Sequence, residues 1–252
     1  MNVEWASLKA AELRDLAGRD AVVILPVAAI EQHGPHLPVM VDTLLCTEIA
    51  TRAARKAGER QPVVVAPTVW SGLSEHHMPL GGTFTLDFPT FHAVLRCLCR
   101  CLERNGFRRA VLLNGHGGND FALKVVVEQL AHELTLALAT ATYWHLAADA
   151  IRNILERQDN VRHACEAETS MVLALRPELV DSSRFEEART AEERGAPAGA
   201  YRWRSFAART RSGAIGDPTA ASAEKGERLL EAAADAVAAL ITNRPFWAEA
   251  AR

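Results

Sequence analysis

Aromatic side chains are scarce in this chain: they make up 6% of it, with two Tyr and eight Phe among 252 residues. A core must therefore be built from aliphatic residues, for which an apolar share of 49% is ample. No uninterrupted apolar run approaches the ~20 residues of a membrane-spanning helix, so the chain is expected to be soluble. Neither sign of charge dominates. The formal balance of -3 gives no pull toward nucleic acid or an anionic membrane, and neither is expected as a partner. Five cysteines (46, 97, 99, 101 and 165) form an odd set with three in one expected helix, which argues for reduced thiols rather than a disulfide framework. Met1 to Ala10 has no basic start leading into an apolar stretch, so no signal peptide is expected and the compartment reads as cytoplasmic.

What is present is an alternation of strand and helix signals. Ala21 to Ala29 is a β-rich apolar run that ends abruptly in the polar, turn-forming segment Ile30 to Pro35. Asp42 stands where a helix N-cap would stand, before apolar positions at helical spacing that run to about Gly58. Pro62 to Val69 reads as a second strand, Pro89 to Asn105 as a helix, Ala110 to Leu113 as a third strand, and Leu134 to Thr142 as a fourth. A helix is expected between the glycine-rich turn Asn114–Asn119 and about His132, and a last one over Ala220 to Thr242, with an exposed loop over Thr190 to Tyr201. This pattern predicts a single α/β domain over residues 1–252, a largely parallel sheet covered by helices on both faces.

In such sheets ligands bind at the carboxyl ends of the strands, and the polar clusters fall there. Glu31 and His33 are two apart, so an extended backbone sends both to one side, and Asp42 can return from the helix start to the same point. Carboxylate and imidazole donors suit Zn, Mn or Fe, although Asp42 as a plain cap and the other two as surface residues fit the spacing equally. In Asn114–Asn119 the glycines leave His116 unobstructed as a ligand; the spacing is not that of a phosphate loop, and no Lys follows. Beyond lies His163 to Ser170. Glu166 and Glu168 diverge by about 200° on a helix, so one of them faces the site, and Glu168 is the choice. His76 and His77 sit on the same rim. Cys97 and Cys101 share a helix face and are expected as buried thiols without a metal role.

Glu31 to Pro38 with Asp42, then Asn114 to Asn119, then His163 to Ser170 resemble the creatininase (creatinine amidohydrolase) family in content and order. The likeness runs from about Leu25 to Thr242 and includes Gly213 to Pro218. The resemblance implies a compact α/β sandwich, usually a hexamer, with two divalent metal ions per subunit (Zn or Mn, Fe in some relatives) hydrolysing C–N bonds. It implies Glu31 and His116 on one ion, His33 on the other, and Asp42 bridging. Creatininase proper carries a further metal-binding Glu where this chain has Gly118; Glu168 is the candidate replacement. Creatininase also has a Tyr where this chain has Gly117, and a Trp shortly before its later catalytic His, where Asp159 to Arg162 stand here. Leu80 to Thr83 and Cys165 are further departures.

These differences point away from creatinine toward another small amide substrate. Relatives with the glycine-rich version act on formamides of pyrimidine precursors, on a modified peptide or on keto-inositol rings. The expected catalytic residues are His163, as proton carrier, and Glu168. The expected substrate contacts are Ser74, His76, Gly117, Gly118 and Trp144, with the Gly117–Gly118 N–H groups as oxyanion donors. A metallopeptidase, a ring-opening C–C hydrolase and an inactive metal-binding homologue are the alternatives.

Overall fold

A computed structural model describes residues 2–190, 197 and 200–248. Four strands, β1 (Val22–Val27), β2 (Val63–Val65), β3 (Arg109–Asn114) and β4 (Ala137–Thr142), form one sheet in the order β2-β1-β3-β4. All three pairings are parallel, with Val22 opposite both Val63 and Arg109, and Arg109 opposite Ala137. The central strands β1 and β3 are buried along nearly their whole length because both their faces are covered.

Alternate residues of β1 feed two cores. Val22 and Ile24 point into a core with α2 (Val41–Ala57), while Val23, Leu25 and Val27 point into the other. The first core is completed by a helix over Glu166–Leu175 and another over Ala223–Thr242, and the second by α1 (Ala10–Gly18), α3 (Phe88–Arg104) and α4 (Asp120–Ala131). We call Glu166–Leu175 α5 and Ala223–Thr242 α6. The fold is thus the α/β arrangement that the alternation predicted. Among the described residues, no helix is long and apolar enough to cross a membrane.

Two details depart from the sequence reading. β2 is short: Pro67 has no N–H for the ladder, so the chain leaves the sheet after Ala66 N–H donates to Ile24 O and meets it again at Val69, whose N–H donates to Pro26 O and whose carbonyl accepts from Ala28 N–H. Cys97 and Cys101 do share a face of α3, but it is the solvent face; Cys99 is the buried thiol, packed in line with Phe91, Leu95 and Leu102. The expected loop over Thr190 to Tyr201 lies largely outside the described residues.

Candidate metal centre

The carboxyl ends of all four strands open onto one edge, and the chain after each strand contributes to one buried polar cluster. Asp42 is inside the first turn of α2, whose N-cap is Met40, so its carboxylate is free of capping and turns inward. His116 is held by the asparagines of its turn: Asn114 Oδ1 accepts its N–H at 3.0 Å, and Asn119 Oδ1 accepts Leu73 N–H at 3.0 Å, tying in the chain after β2. Glu168 lies in the first turn of α5 and accepts from Ala164 N–H.

Glu31, Asp42 and His116 offer ligand atoms within 4.8 Å of one another, and so do His33, Asp42 and Glu168. The two groups share Asp42. All five side chains are almost fully shielded, between 1% and 5% exposed. His33 Nε2 is 3.3 Å from Asp42 Oδ1 and 3.8 Å from Glu168 Oε1; His116 Nδ1 is 2.9 Å from Asp42 Oδ2 and 3.1 Å from Glu31 Oε2.

Neighbouring carbonyls fix both rings. A carbonyl can only accept, so His33 Nδ1 carries the proton donated to Glu31 O at 3.1 Å, and His116 Nε2 the one donated to Leu73 O at 3.2 Å. His33 Nε2 and His116 Nδ1 are therefore the nitrogens that face the carboxylates. His33 Nε2 and Asp42 Oδ2 lie within ion-pair distance of their neighbours, yet neither makes a hydrogen bond. Orphaned lone pairs buried together are costly unless a cation lies between them. Burial works against charge on His116, yet Glu31 and Asp42 outweigh it and raise its pKa to about 10; burial likewise pushes the Glu168 carboxyl up. Three packed carboxylates and two imidazoles fit two divalent cations by charge and by donor type.

Glu166 points away from this cluster. Its carboxylate accepts from Glu156 N–H and Arg157 N–H and pairs with Lys225 at 2.8 Å, a wholly structural set of contacts.

Gly118 has no room for the family glutamate. A Cβ there would lie 2.3 Å from Leu73 O and 2.4 Å from His116 Nε2, so the position is small because the His116 ring occupies the space. This confinement is by itself a reason for glycine at the position, beside the oxyanion role expected of its N–H group. Gly117 meets nothing within 4 Å.

The cluster forms the floor of an open cavity of about 1140 Å³, whose walls include His76, Gly117, Gly118, Trp144 and His163. Ser74 sits elsewhere. It is fully buried beneath the floor, donating to Glu31 Oε2 at 2.9 Å. His163 donates from Nε2 to Gln32 O at 2.8 Å, which leaves Nδ1 bare, 3.5 Å from Glu31 Oε1. Burial, then the neighbouring histidines, hold its pKa well below the ordinary value, so the ring is neutral. The sequence reading placed His77 on the rim without a role, and it is buried with Nε2 at 3.2 Å from Glu31 Oε1; it missed Gln32, which joins the histidines, and Phe206, stacked on His77 at 3.9 Å.

The profile of the Creatininase family, described as creatinine amidohydrolase, matches residues 6–241. This chain belongs to the creatininase family. It is 32% identical over 249 residues to the creatinine amidohydrolase of Pseudomonas putida, covering 90% of each chain. The mycofactocin precursor peptide peptidase of Mycolicibacterium smegmatis is 32% identical over 222 residues, covering 86% of this chain and 82% of that one. The 3-dehydro-scyllo-inosose hydrolase of Thermotoga maritima is 29% identical over 184 residues, covering 71% and 58%. Among solved structures, a manganese creatininase superposes with a TM-score of 0.81 at 28% identity, covering 96% of this chain and 98% of that one. A creatininase of Zn-Zn type gives 0.77 at 28% identity, covering 96% and 97%. Family membership makes this chain a relative of hydrolases that act on amides, with residue groups that can bind metal.

Proposed function

We propose that this protein is a metal-dependent amidohydrolase that cleaves a C–N bond of a cyclic amide or formamide with water. Two divalent ions, Zn, Mn or Fe, would be held by Glu31, Asp42 and His116 on one side and by His33, Asp42 and Glu168 on the other. The observation that carries this reading is the pair of ligand groups sharing Asp42, with His33 Nε2 and Asp42 Oδ2 buried and without a hydrogen bond. Metal ions so bound supply Lewis acidity and lower the pKa of water toward about 7.

The chain's own groups then handle the protons and the approach of substrate. His163 Nδ1, bare and neutral, takes a proton from the attacking water and delivers it to the leaving nitrogen, so that an amine departs rather than its anion. Glu168 stands opposite the same centre, 3.8 Å from His33 Nε2, and helps to orient the water. His76 and Trp144 on the cavity wall contact substrate. Assembly as a hexamer belongs to the same reading.

A second reading is hydrolysis in a modified peptide. The cavity of about 1140 Å³ favours it, being roomier than a small ring requires and open to solvent. The test is a panel of cyclic amides, formamides, short modified peptides and cyclic diketones given to the metal-loaded protein. Amine release from the first two classes supports the proposal, turnover of peptides alone supports the second reading, and turnover of diketones alone or of nothing contradicts both.

A further inference from the structure

Resting on the amidohydrolase reading, we infer that Gln32 is a positioning residue whose single side-chain amide and main-chain carbonyl set the tautomers of His77 and His163 together. Its orientation is fixed from outside. Gln32 Oε1 accepts Gly34 N–H at 3.0 Å and Nε2 donates to Gly213 O at 3.0 Å; flipping the amide would set two donors and two acceptors against each other. Nε2 is therefore a donor, and His77 Nδ1, 2.8 Å away, must accept from it. The His77 proton then sits on Nε2, which stands 3.2 Å from Glu31 Oε1. Glu31, a ligand in the proposed centre, is flanked on one side by His77 and held on the other by Ser74.

The main-chain carbonyl of the same residue accepts the Nε2–H of His163 at 2.8 Å. That leaves the 3.1 Å approach of Gln32 Nε2 to His163 Nε2 as a contact between donors rather than a bond, and it turns the bare Nδ1 of His163 toward the centre. The later segment is built around this amide. His163 and Ile215 exchange both main-chain hydrogen bonds, which brings Gly213 against Gln32; a Cβ on Gly213 would stand 2.1 Å from Oε1. Gly213 also has φ of +82°. Gln32 N–H donates to Thr83 Oγ1 at 3.1 Å, which pins the backbone of the whole device.

The test is imidazole ¹⁵N NMR of the histidine-labelled protein, metal-free, for the wild type, Gln32→Glu and Gln32→Met, alongside zinc affinity by chelator competition and thermal unfolding. We expect His77 and His163 both as Nε2–H tautomers in the wild type. In Gln32→Glu, which places an acceptor against His77 Nδ1, the His77 proton should move to Nδ1, with zinc affinity lower by roughly 10–100-fold. Gly213→Ala, which leaves Gln32 in place but displaces its amide, should reproduce the change if either Gln32 variant fails to fold. Unchanged tautomers in every folded variant would overturn the inference while leaving the amidohydrolase reading intact. A wild type that hydrolyses no amide yet shows the predicted tautomers would overturn that reading alone.

Discussion

Replacing Gly118 with alanine adds one methyl group at the point where the His116 ring is most tightly confined. The new Cβ would lie 2.3 Å from Leu73 O, 2.4 Å from His116 Nε2 and 2.9 Å from His76 Cε1. Two of these neighbours are the partners of the hydrogen bond that turns His116 Nδ1 toward the carboxylates, so they cannot both stay in place. Overpacking of this kind costs about 1–3 kcal/mol of stability, and disturbing the group that orients a ligand lowers metal affinity roughly 10–100-fold. Gly118→Ala should therefore lose metal and turnover together, and Gly118→Glu should lose more, rather than gaining the carboxylate that creatininase proper carries there. Metal titration with a chromophoric chelator and steady-state amide hydrolysis on the same preparations provide the assay. A Gly118→Glu protein that binds metal as tightly as the wild type would refute the steric argument, and Gly118→Ala with full metal but depressed turnover would favour the oxyanion role.

Lys225→Met leaves Glu166 fully buried without its cation, although two backbone N–H groups still reach it, so we expect about 3 kcal/mol of destabilisation, read in urea unfolding and much reduced in a Glu166→Gln background. Burial opposes the Lys225 charge, but Glu156 and Glu166 outweigh it and raise the pKa, so this contribution persists through neutral pH and disappears as pH rises beyond about 10.4; a wild-type minus Lys225→Met difference that already vanishes at neutral pH would contradict it. His163→Gln should keep its metal while turnover falls by roughly 10²–10⁴-fold, and an equal loss of metal would move His163 from proton carrier to ligand.

The sheet and the centre were legible in the sequence to different degrees. The run Val22 to Val27 announces a buried parallel strand because both of its faces are covered, and the breaks at Glu31 and Asn114 mark the carboxyl edge where the polar cluster lies. Asp42 was ambiguous between cap and ligand, since one residue of slippage at a helix start separates the two, and only the position of Met40 as N-cap separates them. The choice between Glu166 and Glu168 followed from helix geometry, but the reason Glu166 is buried, the Lys225 amine from α6, comes from 59 residues away.

His77 and Gln32 carry no local signal. Their bond joins positions 45 apart, and its meaning depends on a carbonyl at Gly213 that neither neighbourhood in sequence contains. Cys97 and Cys101 were misjudged because a shared face says nothing about which face it is; the line through Phe91, Leu95, Cys99 and Leu102 had to be chosen instead. Gly118 was visible as a departure, while its cause, the approach of Leu73 O and the His116 ring, is tertiary.

The central claim is a pair of divalent ions joined through Asp42, and metal content per subunit by elemental analysis of the wild type beside Asp42→Ala tests it most directly. The account predicts two ions in the wild type and the loss of both in the variant, because Asp42 stands in each ligand group. A wild type that holds no ion tightly, or a variant that keeps the wild-type content, would contradict it.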